Sequence, residues 1–132
     1  MRLRFIPFLA CLAVLLMAPI ASPRAARNIE TGAVPDTGLQ LVVVEVPGCL
    51  YCPIFREDVL PVYEASRLAK DVPIRFVDLN DADAMRLTFA SPVDVAPTVL
   101  LMKNNVEVGR IPGYTGPETF FHLVEAMISQ AE

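Results

Sequence analysis

The sequence predicts an α/β domain: a mixed four-stranded sheet, in the order β-α-β-α-β-β-α, flanked by helices. Three observations carry the prediction. A short β-branched run, Leu41-Val42-Val43-Val44-Glu45-Val46, stops at Pro47-Gly48 and leads straight into Cys49-Leu50-Tyr51-Cys52. An apolar run over residues 98–102 and an alternating stretch over residues 106–111 flank Lys103-Asn104-Asn105, which suits a hairpin turn. Elsewhere apolar residues recur at helical spacing, so a βαβ unit is joined to a ββα unit.

Taken in order, residues 25–38 are polar, carry Gly32, Pro35 and Gly38, and read as a linker ahead of a domain over residues 39–132. The first strand covers about residues 40–46. A helix starting around Leu50 places Cys49 at its N-terminal end, and Pro53 is tolerated in its first turn. Phe55, Val59 and Val62 follow at helical spacing, but Pro61 is expected to kink or break the helix near Leu60. Residues 72–78 alternate imperfectly as a second strand. Residues 80–83 are positioned to cap a short helix carrying Met85 and Phe89, and residues 91–97 form a loop with two prolines. The hairpin strands come next. Thr115 and Glu118 have the spacing of a capping box, with Pro117 early in a helix whose apolar face is Phe120, Leu123, Val124, Met127 and Ile128.

At 132 residues the chain has room for one domain and little else. Its N-terminus has the layout of a secretory signal peptide: basic Arg2 and Arg4, an apolar run over residues 5–21, then Ala- and Pro-rich residues. Cleavage is expected between Ala21 and Ala26, with residues 1–24 taken as the signal. An uncleaved membrane anchor is the alternative, although the run is short for a span and contains Pro7 and Pro19. Cys11 then falls in a discarded segment. Without residues 1–24 the chain keeps 8 basic and 15 acidic residues, net −7, which argues against nucleic acid as a partner.

Cys49 and Cys52 are left as an even pair in an oxidising, periplasmic compartment. A bridge between them closes so short a loop that it restrains the unfolded chain little. Redox chemistry is therefore the better reading. Unpaired N–H groups and the dipole at a helix N-terminus favour Cys49 as the thiolate, the form that attacks a disulfide. A zinc site is disfavoured, because zinc takes four ligands and the chain holds one histidine, His122. No metal and no cofactor beyond the Cys49–Cys52 disulfide itself is expected.

A Cys-x-x-Cys after the first strand of such a pattern reads as thioredoxin-like. Val95-Ala96-Pro97-Thr98 and the run through Lys103-Asn104-Asn105 to Gly109 resemble the second half of a thioredoxin, with Gly113 where that family has a later glycine. More narrowly, Val46-Pro47-Gly48-Cys49-Leu50-Tyr51-Cys52, the run from Asp58 to Tyr63, and Arg110-Ile111-Pro112-Gly113-Tyr114 resemble the secreted SoxS-type thioredoxins of bacterial sulfur-oxidation clusters. The resemblance implies a cis Ala96-Pro97 bond opposite the cysteines, with Ala96 backbone groups free to pair with a partner peptide. Thioredoxins resemble one another in a buried acid six residues before the first cysteine, a position where this chain departs from the pattern with Val43. Glu45, two residues on and on the same strand face, is read either as a charge at the end of the sheet that reaches water or as a substitute proton acceptor for Cys52. Tyr51, between the cysteines, is a candidate contact for a partner. Tyr63, Tyr114, Phe120 and Phe121 are read as packing residues.

The resemblance implies a thiol–disulfide oxidoreductase, and the chain is expected to act as a monomer. It would reduce or redox-regulate a partner protein of a sulfur-oxidation system and draw electrons from a membrane thiol transporter. The alternatives are a disulfide oxidant or isomerase, or a binding module with a structural disulfide. A reduction potential separates them: roughly −270 mV for a reductase, nearer −120 mV for an oxidant, well below −300 mV for a structural bridge.

Overall fold

A computed structural model of the chain describes residues 38–132. The expected signal segment, Cys11 and the linker up to residue 37 lie outside the described residues. Strand β1 (Leu39–Glu45) is central in a four-stranded sheet of order β2-β1-β3-β4. It runs parallel to β2 (Ile74–Asp78) and antiparallel to β3 (Thr98–Lys103), which pairs antiparallel with β4 (Val106–Pro112). A parallel pair needs a long crossover. Here it is made by α1 (Cys52–Asp58), α2 (Leu60–Glu64) and α3 (Leu68–Asp71). Helix α4 (Pro117–Ala131) follows β4.

Both faces of β1 are covered, which explains an apolar run without alternation. On one face Leu39, Leu41 and Val43 pack with Phe55, Val59, Tyr63, Phe120 and Val124. On the other, Val42 and Val44 pack with Val77, Ala84, Leu87, Leu100 and Met102. The rings of Phe55 and Tyr63 meet Phe120 edge-on, with centroids 5.4 and 5.9 Å apart, the arrangement aromatic quadrupoles favour.

The helix break lies at Val59, one residue from the expected place, because Pro61 has no N–H to donate to the preceding turn. Asn104 and Asn105 take positive φ values of 53° and 64° in the hairpin turn, as the tight turn requires. Four local expectations need correction. Helix α1 starts at Cys52, not near Leu50, so Cys49 lies upstream of its N-cap, Tyr51. Strand β2 starts at Ile74, after Pro73, rather than at residue 72. The short helix with Met85 and Phe89 is a single 3₁₀ turn, Ala84–Arg86; Ala84 and Leu87 enter the core while Met85 is exposed. The Thr115–Glu118 capping box does not form. Gly116 is the N-cap at φ +79°, a conformation disfavoured for threonine, and Pro117 pre-sets the first helical φ.

Tyr63 illustrates how the crossover is pinned. Its ring is fully buried and its hydroxyl donates to the Val72 carbonyl at 2.5 Å. Burial pushes the phenol well above its ordinary pKa, so it stays a neutral donor. Tyr63→Phe keeps the ring but leaves that carbonyl without its partner. The variant is expected to lose about 1–2 kcal/mol in urea denaturation.

Candidate active site

The site is built where β1 ends. After Glu45 the chain turns, with the Cys49 N–H donating to the Val46 carbonyl at 3.2 Å. Cys49 and Cys52 form a disulfide across a Cα–Cα distance of 5.5 Å. Their surroundings differ. Cys52 opens α1 and is buried, whereas Cys49 is partly accessible between exposed Gly48 and Leu50. An outer sulfur open to a partner and an inner one behind it is the arrangement a two-step exchange needs.

Strand sense brings a second loop to this edge. Thr98 pairs with Val44, so Pro97, one residue earlier, falls at the level where β1 ends. The Ala96-Pro97 bond is cis. Thr98 Oγ donates to the Val95 carbonyl at 2.6 Å, and the Gly113 N–H donates to the Pro97 carbonyl at 2.8 Å. Pro97 is buried, Ala96 half-buried and Val95 exposed.

A charged clamp on β4 holds the same loop from behind. Glu107, its side chain 4% exposed, accepts two hydrogen bonds from the Arg110 guanidinium and one from the Ala90 N–H. Arg110 also donates to the carbonyls of Ser91 and Pro92, both at 2.9 Å. The Arg110 hydrogen bonds hold the Glu107 carboxyl below the usual carboxylate range, against the opposing effect of burial.

Glu45, on the Val43 face, projects toward α1 and is clasped by Arg56. Nε donates to Oε1 at 3.0 Å and a terminal nitrogen to Oε2 at 2.6 Å. The Arg56 guanidinium also lies 3.6 Å above the Phe76 ring, a cation–π contact. The Glu45 hydrogen bonds raise the Arg56 pKa further. Glu45, Arg56 and Asp78 line, with both cysteines, a cleft of about 310 Å³.

Tyr51 is 55% exposed beside the disulfide, and its ring stacks on Tyr114 with centroids 6.2 Å apart and planes 15° from parallel. Tyr114, read from the sequence as a packing residue, thus stands at the site. Arg56, Glu107 and Arg110 were also missed. Their sequence signal is charge alone, and charged side chains are ordinary on exposed faces.

No protein-family model matches the chain, and no curated protein does. Solved structures do. The crystal structure of the periplasmic thioredoxin SoxS from Paracoccus pantotrophus, in its reduced form, is 35% identical, with a TM-score of 0.66 over 71% of this chain and 99% of that one. A structure described as a malarial protein shares the fold at 15% identity and a TM-score of 0.50, over 68% of this chain and 97% of that one. Fold and cysteine pair together define a thiol–disulfide oxidoreductase. The chain belongs to the thioredoxin superfamily and is SoxS-like within it.

Two predictions follow the charged groups. Glu107 has a depressed folded-state pKa, so its clamp contributes fully above the unfolded value of about 4.3 and is lost as pH falls through the folded value. Glu107→Gln should cost about 1–2 kcal/mol near pH ~6 in urea denaturation, with the difference from wild type shrinking as the pH is lowered and the carboxylate takes up its proton. Arg56→Met removes a cation from the cleft and leaves Glu45 unpaired; both changes disfavour a thiolate. The thiolate titration of the reduced protein, followed by ultraviolet absorbance, should move up by roughly one pH unit.

Proposed function

We propose that the protein reduces or redox-regulates a disulfide on a partner protein outside the cytoplasmic membrane, with Cys49 attacking and Cys52 resolving. The observation that carries this is the contrast between accessible Cys49 and buried Cys52 within one disulfide. In the reduced protein the Cys49 thiolate attacks one sulfur of the partner's disulfide and forms a mixed disulfide. The partner's other sulfur leaves as a thiolate and takes a proton. The Cys52 thiolate then attacks the Cys49 sulfur, and the partner's second thiolate departs. Two electrons pass to the partner and the Cys49–Cys52 disulfide returns, to be reduced again by a dithiol carrier such as a membrane thiol transporter.

Ala96 and Pro97 form the surface against which the partner's extended segment docks, with Ala96 backbone groups pairing in strand fashion and Tyr51 alongside. Both oxygens of Glu45 accept hydrogen bonds from Arg56, which supports a role in pairing that cation beside the dithiol. The localisation rests on the basic start, the apolar run over residues 5–21 and the likeness to a periplasmic thioredoxin. Among the described residues no helix is long and apolar enough to cross a membrane. The same likeness supports a sulfur-oxidation protein as the partner.

The test is a trap. Cys52→Ser removes the resolving thiol, so mixed disulfides through Cys49 should accumulate. Expressed in its own cells, the variant should yield disulfide-linked partners that dithiothreitol releases and that Cys49→Ser does not capture. Recovery of none, with the wild type active, would count against a protein substrate.

A further inference from the structure

The aromatic pair beside the dithiol has a geometry that disulfide exchange does not require. Tyr51 sits between the cysteines in the chain, and Tyr114 reaches it from the loop joining β4 to α4. Tyr114 is held at both ends. Its hydroxyl donates to Asp58 Oδ2 at 2.7 Å, at the far end of α1. Its backbone follows Gly113, whose φ of +77° turns the chain and whose N–H is tied to Pro97. With the hydroxyl engaged by Asp58, the pair offers ring area to an incoming molecule.

The surroundings have the same character. Leu50, next to Cys49, is 83% exposed, and Val95, next to the cis bond, is 49% exposed. Large apolar side chains therefore stand uncovered on the cysteine loop and on the cis-proline loop. The site already joins these two loops, so exposed apolar side chains flank the place where the partner's disulfide must come.

We infer that Tyr51 and Tyr114 form a specificity face that selects partner polypeptides carrying an aromatic or large aliphatic side chain next to the cystine. Tyr114 is the positioning residue of this face and Asp58 its anchor. The inference rests on Cys49 being the attacking thiol. A flanking ring would stack on or meet the edge of the pair while the partner's sulfur approaches Cys49, and such contacts add to apolar burial. A serine in that place gains neither.

The test uses two synthetic peptides, identical except for Phe or Ser beside a cysteine that carries 5-thio-2-nitrobenzoate in disulfide linkage. The pre-reduced protein is mixed with each, and the second-order rate is read from released thionitrobenzoate. The wild type should prefer the Phe peptide by about tenfold. Tyr114→Ala should reduce the preference to about twofold, whereas Tyr114→Phe, which keeps the ring, should retain most of it. Asp58→Ala, which keeps the ring and cuts its anchor, should lose about threefold of the preference and serves if Tyr114→Ala does not fold. A merely structural role slows both peptides alike and leaves the ratio unmoved. Equal rates for the two peptides, or a preference unchanged by Tyr114→Ala and Asp58→Ala, overturns the specificity face alone. A protein that releases no thionitrobenzoate from either peptide overturns the assignment of Cys49 as well.

Discussion

The burial of β1 on both faces and both edges decides where everything else can go. Val42, Val43 and Val44 are inaccessible, with β2 on one edge and β3 on the other. Because β3 runs antiparallel to β1, the segment that enters β3 must lie beside the segment that leaves β1. The cysteine loop and the cis-proline loop therefore share an edge as a consequence of strand sense. The parallel pairing with β2 imposes the second condition. The chain must cross back over one face, and the crossover begins with the helix that Cys52 opens. A one-residue slip of β1 would exchange its two apolar faces and turn Glu45 away from Arg56.

Ionisable groups near the site are handled by pairing. Val43 stands where thioredoxins resemble one another in carrying a buried acid, and here it is wholly inaccessible among Leu41, Phe55 and Phe120. The first carboxylate on that face is Glu45, at the end of the strand, where Arg56 can satisfy both oxygens. Further inside, a lone carboxylate would carry a desolvation cost of several kcal/mol. Glu107 and Arg110 apply the same device behind the cis-proline loop. Pairs reaching solvent through arginine add modestly to stability. Their larger effect is geometric: a planar fork fixes a carboxylate, and through Arg110 the carbonyls of Ser91 and Pro92, in one arrangement.

The architecture was legible because it is written in short-range chemistry. The apolar run of β1, the stop at Pro47-Gly48, the break imposed by Pro61 and the Asn104-Asn105 turn each act within a few residues. The dithiol was legible for the same reason, both cysteines lying within one turn. What the sequence hid is what depends on distant partners. Tyr114 looks like any aromatic at a loop end until β4 and α4 bring it onto Tyr51. Arg56 looks like a surface cation on α1 until Glu45 arrives from β1. The capping box failed for a local reason. Thr115-Gly116-Pro117 offers two helix starts, and the glycine–proline start sets the backbone without a side-chain hydrogen bond.

The late start of α1 changes the physical account of the reactive thiol. A helix beginning around Leu50, with Cys49 at its N-terminal end, would aim free N–H groups at its sulfur. The helix begins at Cys52 instead, and the Cys49 N–H is engaged by the Val46 carbonyl. Whatever the seven-residue α1 contributes through its dipole is strongest at its first turn, nearer Cys52 than Cys49. The fixed charges that share the cleft with both sulfurs then gain weight. Arg56 is a cation at every accessible pH, Glu45 offsets it, and Asp78 lies on the same wall. A thiolate formed there meets one cation against two carboxylates, so the placement of the Arg56 guanidinium sets how far attraction offsets repulsion. By clasping Glu45 and resting on Phe76, Arg56 is held in one place by two contacts that do not involve sulfur. The field can therefore stay the same through a cycle in which the sulfurs change bonding twice, and this constancy lets a short, exposed loop serve as a reproducible redox centre.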